Sequence, residues 1–144
     1  MKGILKLVIL DTNIVSYIFN KDTRALYYQS QIRGRRVLIS FQTLEELWYG
    51  AYTKGWGDRR KNELAHHLEQ YEVIWPGPEL VTTCARLRSE RKSAGREMRE
   101  SDAWIAATAI MLGCALASHD HDFSDISDLE LIQAPAPQPD QSQE

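Results

Sequence analysis

Asp11 closes the apolar run "ILKLVIL" (4–10) and is followed at once by Thr12-Asn13. Asp120 and Asp122 stand in "HDHDFSD", just past a second apolar stretch, "CALAS" (114–118). Asp102 opens "SDAWIAATAIMLGC" (101–114), and Glu46 lies within "QTLEELWYGAYTKG" (42–55). Each acid alone has an ordinary explanation: a helix cap, a first-turn acid in a helix dipole, a surface glutamate, a turn residue. Together they suggest other chemistry. Two carboxylates about 4 Å apart repel by about 4 kcal/mol at an effective dielectric near 20. A pocket holding several must take up protons or bind a cation. Donors that are all oxygen favour a hard ion, Mg²⁺ or Mn²⁺, over zinc.

The elements that must carry these acids alternate. "ILKLVIL" reads as a buried strand, and "IVSYIF" continues it as a helix. Asp22-Thr23 is placed to cap a second helix ending at Gly34. "VLIS" (37–40) is a second strand. Leu44, Leu47, Trp48 and Ala51 share one helical face, with Gly55 as a stop. A helix capped by Asp58, a short strand in "EVIWPGP" and a basic-faced helix ending near Gly95 follow. Residues 101–114 are apolar nearly all round, as in a central buried helix, with Gly113 as its stop. "CALAS" and "LELI" (129–132) complete the strands. Strands alternating with helices imply an α/β fold with a parallel sheet. Ligands in such sheets sit beyond the carboxyl ends of the strands, where strand order reverses. Asp11 and Asp120 both follow strand ends, so both belong at that edge.

At 144 residues the chain is expected to form one domain over 1–132, with "QAPAPQPDQSQE" (133–144) a disordered tail. No apolar stretch approaches the roughly 20 residues of a membrane span. Lys6 interrupts the first apolar run and no cleavage site follows, so the N-terminus reads as mature and the protein as cytoplasmic. Cys84 and Cys114 lack metal or redox spacing and read as free buried thiols. The net charge of −3 conceals a split: residues 100–144 hold nine acids and no Lys or Arg, while 86–99 hold six basic residues. Basic clusters beside an acidic pocket suit a polyanion drawn past bound cations.

The chain resembles PIN-domain ribonucleases of the VapC toxin type. The resemblance is carried by "VILDTNIVSYIF" (8–19), "ISFQTLEELWYGA" (39–51) with its Glu-Leu-x-x-Gly, "SDAWIAATAIMLGCALASHDHDF" (101–123) with Asp-x-x-Ile-Ala-Ala, and the closing Asp-x-Asp-Phe. The four acids of that family fall on Asp11, Glu46, Asp102 and Asp120. The resemblance implies a three-layer fold whose five-stranded parallel sheet has the order 3-2-1-4-5 and helices on both sides. It also implies Mg²⁺- or Mn²⁺-dependent cleavage of RNA by a metal-activated water. Asp11, Asp102 and Asp120 would be the metal ligands, and Glu46 would hold a water or act as base. Thr12, Ser40, Ser118 and Asp122 are possible auxiliaries, Ser118 standing where the family more often has Thr. Asn13 is expected to brace its turn. Arg33, Arg35, Arg36, Arg86, Arg88, Arg91, Lys92, Arg96 and Arg99 would hold the RNA backbone. Trp56 and Tyr49 could stack on bases, while Trp48 and Trp104 fall on apolar faces and should pack in the core. A cognate antitoxin protein and a homodimer are the implied partners, with no membrane.

Two other readings stay within the fold: a housekeeping RNA-processing nuclease, and a catalytically silent module that binds RNA or protein. The presence of all four acids argues against silence. A haloacid-dehalogenase-type enzyme needs a second Asp at position 13, which is Asn here. A receiver domain needs an acceptor Asp after its third strand and a Lys near its fifth, and neither is present.

Overall fold

A computed structural model describes residues 6–136. Five parallel strands form one sheet: β1 (Leu7–Leu10), β2 (Arg36–Ser40), β3 (Glu72–Ile74), β4 (Ala115–Ala117) and β5 (Leu131–Ile132). Their order is β3-β2-β1-β4-β5, as the resemblance implied. β1 is central, with Val8 in register with Val37 on one side and Ala115 on the other.

The first strand can be apolar at every position because both faces are covered. Val8 and Leu10 point to one layer and Ile9 to the other, the period-two alternation of a strand. On the Val8 side lie α1 (Thr12–Phe19), α2 (Ala25–Ile32), α3 (Phe41–Thr53) and α4 (Asp58–Leu68), which bury Ile14, Val15, Tyr28, Ala51 and Leu64. On the Ile9 side lie α5 (Pro78–Ser93) and α6 (Glu100–Leu112), which bury Leu80, Cys84, Leu87, Ile105 and a run of alanines. Each fully buried Val, Leu or Ile contributes about 1.5–3 kcal/mol, so these two cores on opposite faces of one sheet hold the three layers together.

α6 buries Ala103, Ala106, Ala107 and Ala109, small residues that let it lie close to its neighbours. Gly113 adopts φ 63°, closes the helix and turns the chain directly into β4. Asp58 is not the cap of α4. Gly57 occupies that position and Asp58 stands in the first turn, where its charge complements the helix dipole. Cys84 is buried and Cys114 half-buried, and both are free.

Gln133 and Ala134, placed in the tail by composition, are tied to the body. The Gln133 amide donates to the Asp120 carbonyl at 2.8 Å, and the Ala134 N–H donates to the Tyr28 hydroxyl at 3.0 Å. Residues 137–144 of the expected tail, and the start of the first apolar run, lie outside the described residues.

Candidate active site

β1 and β4 are neighbours, and the chain leaves them in different directions. Asp11 follows β1 immediately, and its N–H donates to the Ala117 carbonyl of β4 at 2.8 Å. Asp11 is the N-cap of α1. One carboxylate oxygen accepts the Thr12 N–H at 2.8 Å, and the other accepts the Ser118 hydroxyl at 2.6 Å. Ser118 is itself fully buried and also accepts the Asp120 N–H at 3.0 Å. One hydroxyl thus fixes the positions of two acids from different strand ends.

Asp102 sits in the first turn of α6, which begins at the same sheet edge and runs back toward the start of β4. Glu46 comes from the middle of α3. The Thr12 hydroxyl lies 3.0 Å from the Thr43 hydroxyl and 3.4 Å from Glu46, linking α1 to α3. Asp11, Glu46, Asp102 and Asp120 line one cavity of about 330 Å³. The acids expected from sequence positions 11, 46, 102 and 120 are therefore brought together. Carboxylate oxygens of Asp102, Asp120 and Asp122 approach within 4.8 Å of one another. Asp122 belongs to this tightest group, while Asp11 stands at the cavity's inner wall.

Burial governs the titration of these groups. Asp11 is pushed up to about 6 by loss of solvent, with Asp102 and Asp120 adding repulsion and the Ser118 and Thr12 hydrogen bonds opposing it. Glu46 is raised by burial and by Asp11. Asp102 is raised by burial, against the pull of Arg99. Such a set retains protons or accepts a cation, as carboxylates crowded in a cleft must.

The auxiliary residues divide. Thr12 and Asn13 line the cavity, and the Asn13 side chain accepts the His119 N–H at 3.4 Å, bracing the turn after β1 against the loop after β4. Ser40 is fully buried and caps α3, accepting the Gln42 N–H at 3.1 Å. It does not line the cavity.

The basic residues divide as well. Arg33, Arg35 and Arg36 lie at the amino-terminal end of β2, the sheet edge opposite the acids, and Arg36 pairs with Glu72. Arg86, Arg88 and Lys92 are exposed on α5. Arg91 and Arg96 converge on Asp125, at 3.1 and 2.6 Å. Arg99 enters the acid cavity, with Nε 3.1 Å from Asp102 and a terminal nitrogen 4.0 Å from Asp120. Its pairing with Asp102 is an i,i+3 contact legible in the sequence. The bond from the Tyr28 hydroxyl to His119 Nδ1, 2.7 Å across 91 residues, had no such signal.

The cavity is not acidic throughout. Its other half is largely apolar, lined by Phe19, Leu47, Ala51, Trp56 and Leu64, with Asn20 and Lys54 among them. Tyr49 and Tyr52 stand exposed on α3. Trp48 and Trp104 are half-buried and pack against the two cores, Trp104 edge-on to Phe41. Trp56 faces Phe19, with the Arg60 guanidinium between 4 and 5 Å from each ring, and the two rings form one wall of the apolar half.

Ribonuclease VapC1 of Haemophilus influenzae is 27% identical over 124 residues, covering 84% of this chain and 92% of that protein. The structure of VapBC2 from Rickettsia felis bound to a DNA fragment from their promoter superposes with a TM-score of 0.78 at 25% identity, over 88% of this chain and 98% of that one. VapBC-1 from nontypeable Haemophilus influenzae superposes with a TM-score of 0.73 at 25% identity, over 88% and 97%. The family model for the PIN domain matches residues 8–129, from Val8 of β1 through β4 with the four cavity acids among them, and the chain belongs to that family.

Proposed function

We propose that this chain is a metal-dependent endoribonuclease, the toxin of a VapBC-type toxin–antitoxin pair. The observation that carries the reading is the gathering of Asp11, Glu46, Asp102 and Asp120 around one cavity at the point where strand order reverses. The relatives named ribonuclease VapC and the VapBC structures support it.

The donor set fits a hard divalent ion. It is all oxygen, and three carboxylates already lie within 4.8 Å of one another. Asp102 and Asp120 would hold Mg²⁺ or Mn²⁺, with Asp122 or Asp11 completing the set. The chemistry such an ion supplies when bound is a more acidic water and neutralisation of phosphoryl charge. The protein's own groups do the rest. Ser118 and Thr12 hold Asp11 rigidly, so its orientation is fixed before substrate arrives. Glu46, raised by burial, is suited to take a proton from an attacking water at its carboxylate oxygen. Arg91, Arg96 and Arg99 lie on the side of the cavity where an RNA backbone would pass.

The apolar half of the cavity and the exposed Tyr49 and Tyr52 suit an antitoxin segment laid along α3, with a second copy of the chain as a further partner. The test is cleavage of total cellular RNA by the purified chain with Mg²⁺, Mn²⁺ or EDTA, beside Asp11→Asn. Cuts that need both metal and Asp11 are expected. A folded, partner-free chain that cuts nothing with either metal would overturn the nuclease reading.

A further inference from the structure

Arg99 is the N-cap residue of α6 yet makes no capping bond. Its side chain instead folds over the first turn, reaching Asp102 at 3.1 Å and approaching Asp120 at 4.0 Å. Among the described residues, no other Lys, Arg or His nitrogen lies within 4.0 Å of a carboxylate oxygen of Asp11, Glu46, Asp102, Asp120 or Asp122. The nearby Arg91 and Arg96 are engaged by Asp125. The pair is asymmetric: the Asp102 side chain is 11% exposed and the Arg99 side chain 73%. The acid is held in the buried first turn of α6, whereas the guanidinium is largely in water and hydrogen-bonds to Asp102 alone. A contact of this kind is weak and easily exchanged.

We propose that Arg99 is a built-in counter-ion of the acid cage, resident on Asp102 and Asp120 until a divalent cation displaces it. The inference rests on the metal-dependent reading above. It assigns Arg99 a role apart from the RNA backbone: it offsets carboxylate repulsion when metal is absent and competes with metal for the same oxygens. The free-ion concentration at which the site fills is then set partly by this side chain. A guanidinium suits the task because it stays charged at any physiological pH and presents several N–H groups in one plane to two acids.

The test is Mn²⁺ binding, read as the free-ion electron paramagnetic resonance signal, together with the metal-free melting temperature. The full chain is compared with Arg99→Gln, Arg96→Gln and Asp102→Asn. Arg99→Gln is expected to bind Mn²⁺ roughly threefold to fivefold more tightly and to melt lower without metal. Arg96→Gln removes the same charge from the same side of the cavity and should change Mn²⁺ affinity less than about twofold, being tied to Asp125. Unchanged or weaker binding in Arg99→Gln would overturn the proposal. Equal tightening in Arg96→Gln would also overturn it, leaving only a diffuse field effect. If the wild type and Asp102→Asn bind Mn²⁺ alike, or neither binds, the metal site itself is refuted and the proposal falls with it. That outcome differs from one in which Asp102 matters and Arg99 does not.

Discussion

The Ser118 hydroxyl donates to Asp11 at 2.6 Å, joining residues 107 positions apart in the chain. The same oxygen receives the Asp120 N–H, so a single fully buried hydroxyl sets the spacing of two acids.

Ser118→Ala should therefore act on both. It leaves the Asp120 N–H without its acceptor and removes a bond that favours the charged form of Asp11. The expected loss is about 1–3 kcal/mol of stability, with the Asp11 titration moved further upward. Urea unfolding at several pH values measures both. An unchanged midpoint would mean that water replaces the hydroxyl at no cost.

The Asp11 titration itself predicts a pH dependence. Its folded-state value of about 6 exceeds the ordinary 3.8, so between these values the folded chain keeps a proton that the unfolded chain releases. Without metal, stability falls as pH rises through this window, by about 3 kcal/mol in full. Burial lowers His67, which opposes the trend as pH falls, and the Asp22 and Asp125 carboxyls are held low by arginines and act only in more acid solution. The difference between wild type and Asp11→Asn isolates the effect. Melting curves from about pH 7 to pH 5 should show wild type gaining on the variant as pH falls. Parallel curves would place the Asp11 proton elsewhere.

Asp122 distinguishes two ligand sets. If metal sits in the tight group of Asp102, Asp120 and Asp122, Asp122→Asn should weaken Mn²⁺ binding by about tenfold or more. Titration calorimetry reads this directly. Full affinity in Asp122→Asn, with loss in Asp11→Asn, would assign the third ligand to the inner wall.

Gly50 lies inside α3 and lines the cavity, and a Cβ there would meet nothing within 4 Å. Gly50→Ala should stabilise the chain by about 0.5–1 kcal/mol, the usual gain for alanine over glycine inside a helix. A larger residue should keep much of that gain while narrowing the apolar half of the cavity. Denaturant midpoints for Gly50→Ala and Gly50→Leu, with peptide or RNA binding alongside, separate the two effects.

The alternation of strands and helices was legible because its signals are local, whereas the strand order rested on the family resemblance. An unbroken apolar run ending in Asp11 announces a strand with both faces covered, and the Gly113 turn and the alanine-rich run of α6 announce a helix buried against that sheet. The four acids were legible because three sit at element boundaries that face one sheet edge. What escaped is what tertiary placement alone decides. The cluster of Arg33, Arg35 and Arg36 is indistinguishable by charge from the segment 86–99, yet the strand direction sends it to the opposite edge. Ser40 has the same small hydroxyl as Ser118, but one caps a helix and the other joins two acids. Gln133 and Ala134 have the composition of a tail, and only the position of Tyr28 and Asp120 shows that they are bound.

The central place of β1 has a consequence for synthesis. Its neighbour β4 is made more than 100 residues later, and the loop carrying Asp120 is pinned by Gln133 later still. Long-range parallel pairing of this kind forms late and slowly. A chain emerging from the ribosome therefore carries Asp11 and Glu46 with no partners to complete the cavity until the segment holding Asp102 and Asp120 has followed. The acidic centre comes into being only after β4 and Gln133 have been made, so a growing chain carries no assembled acidic cavity until then.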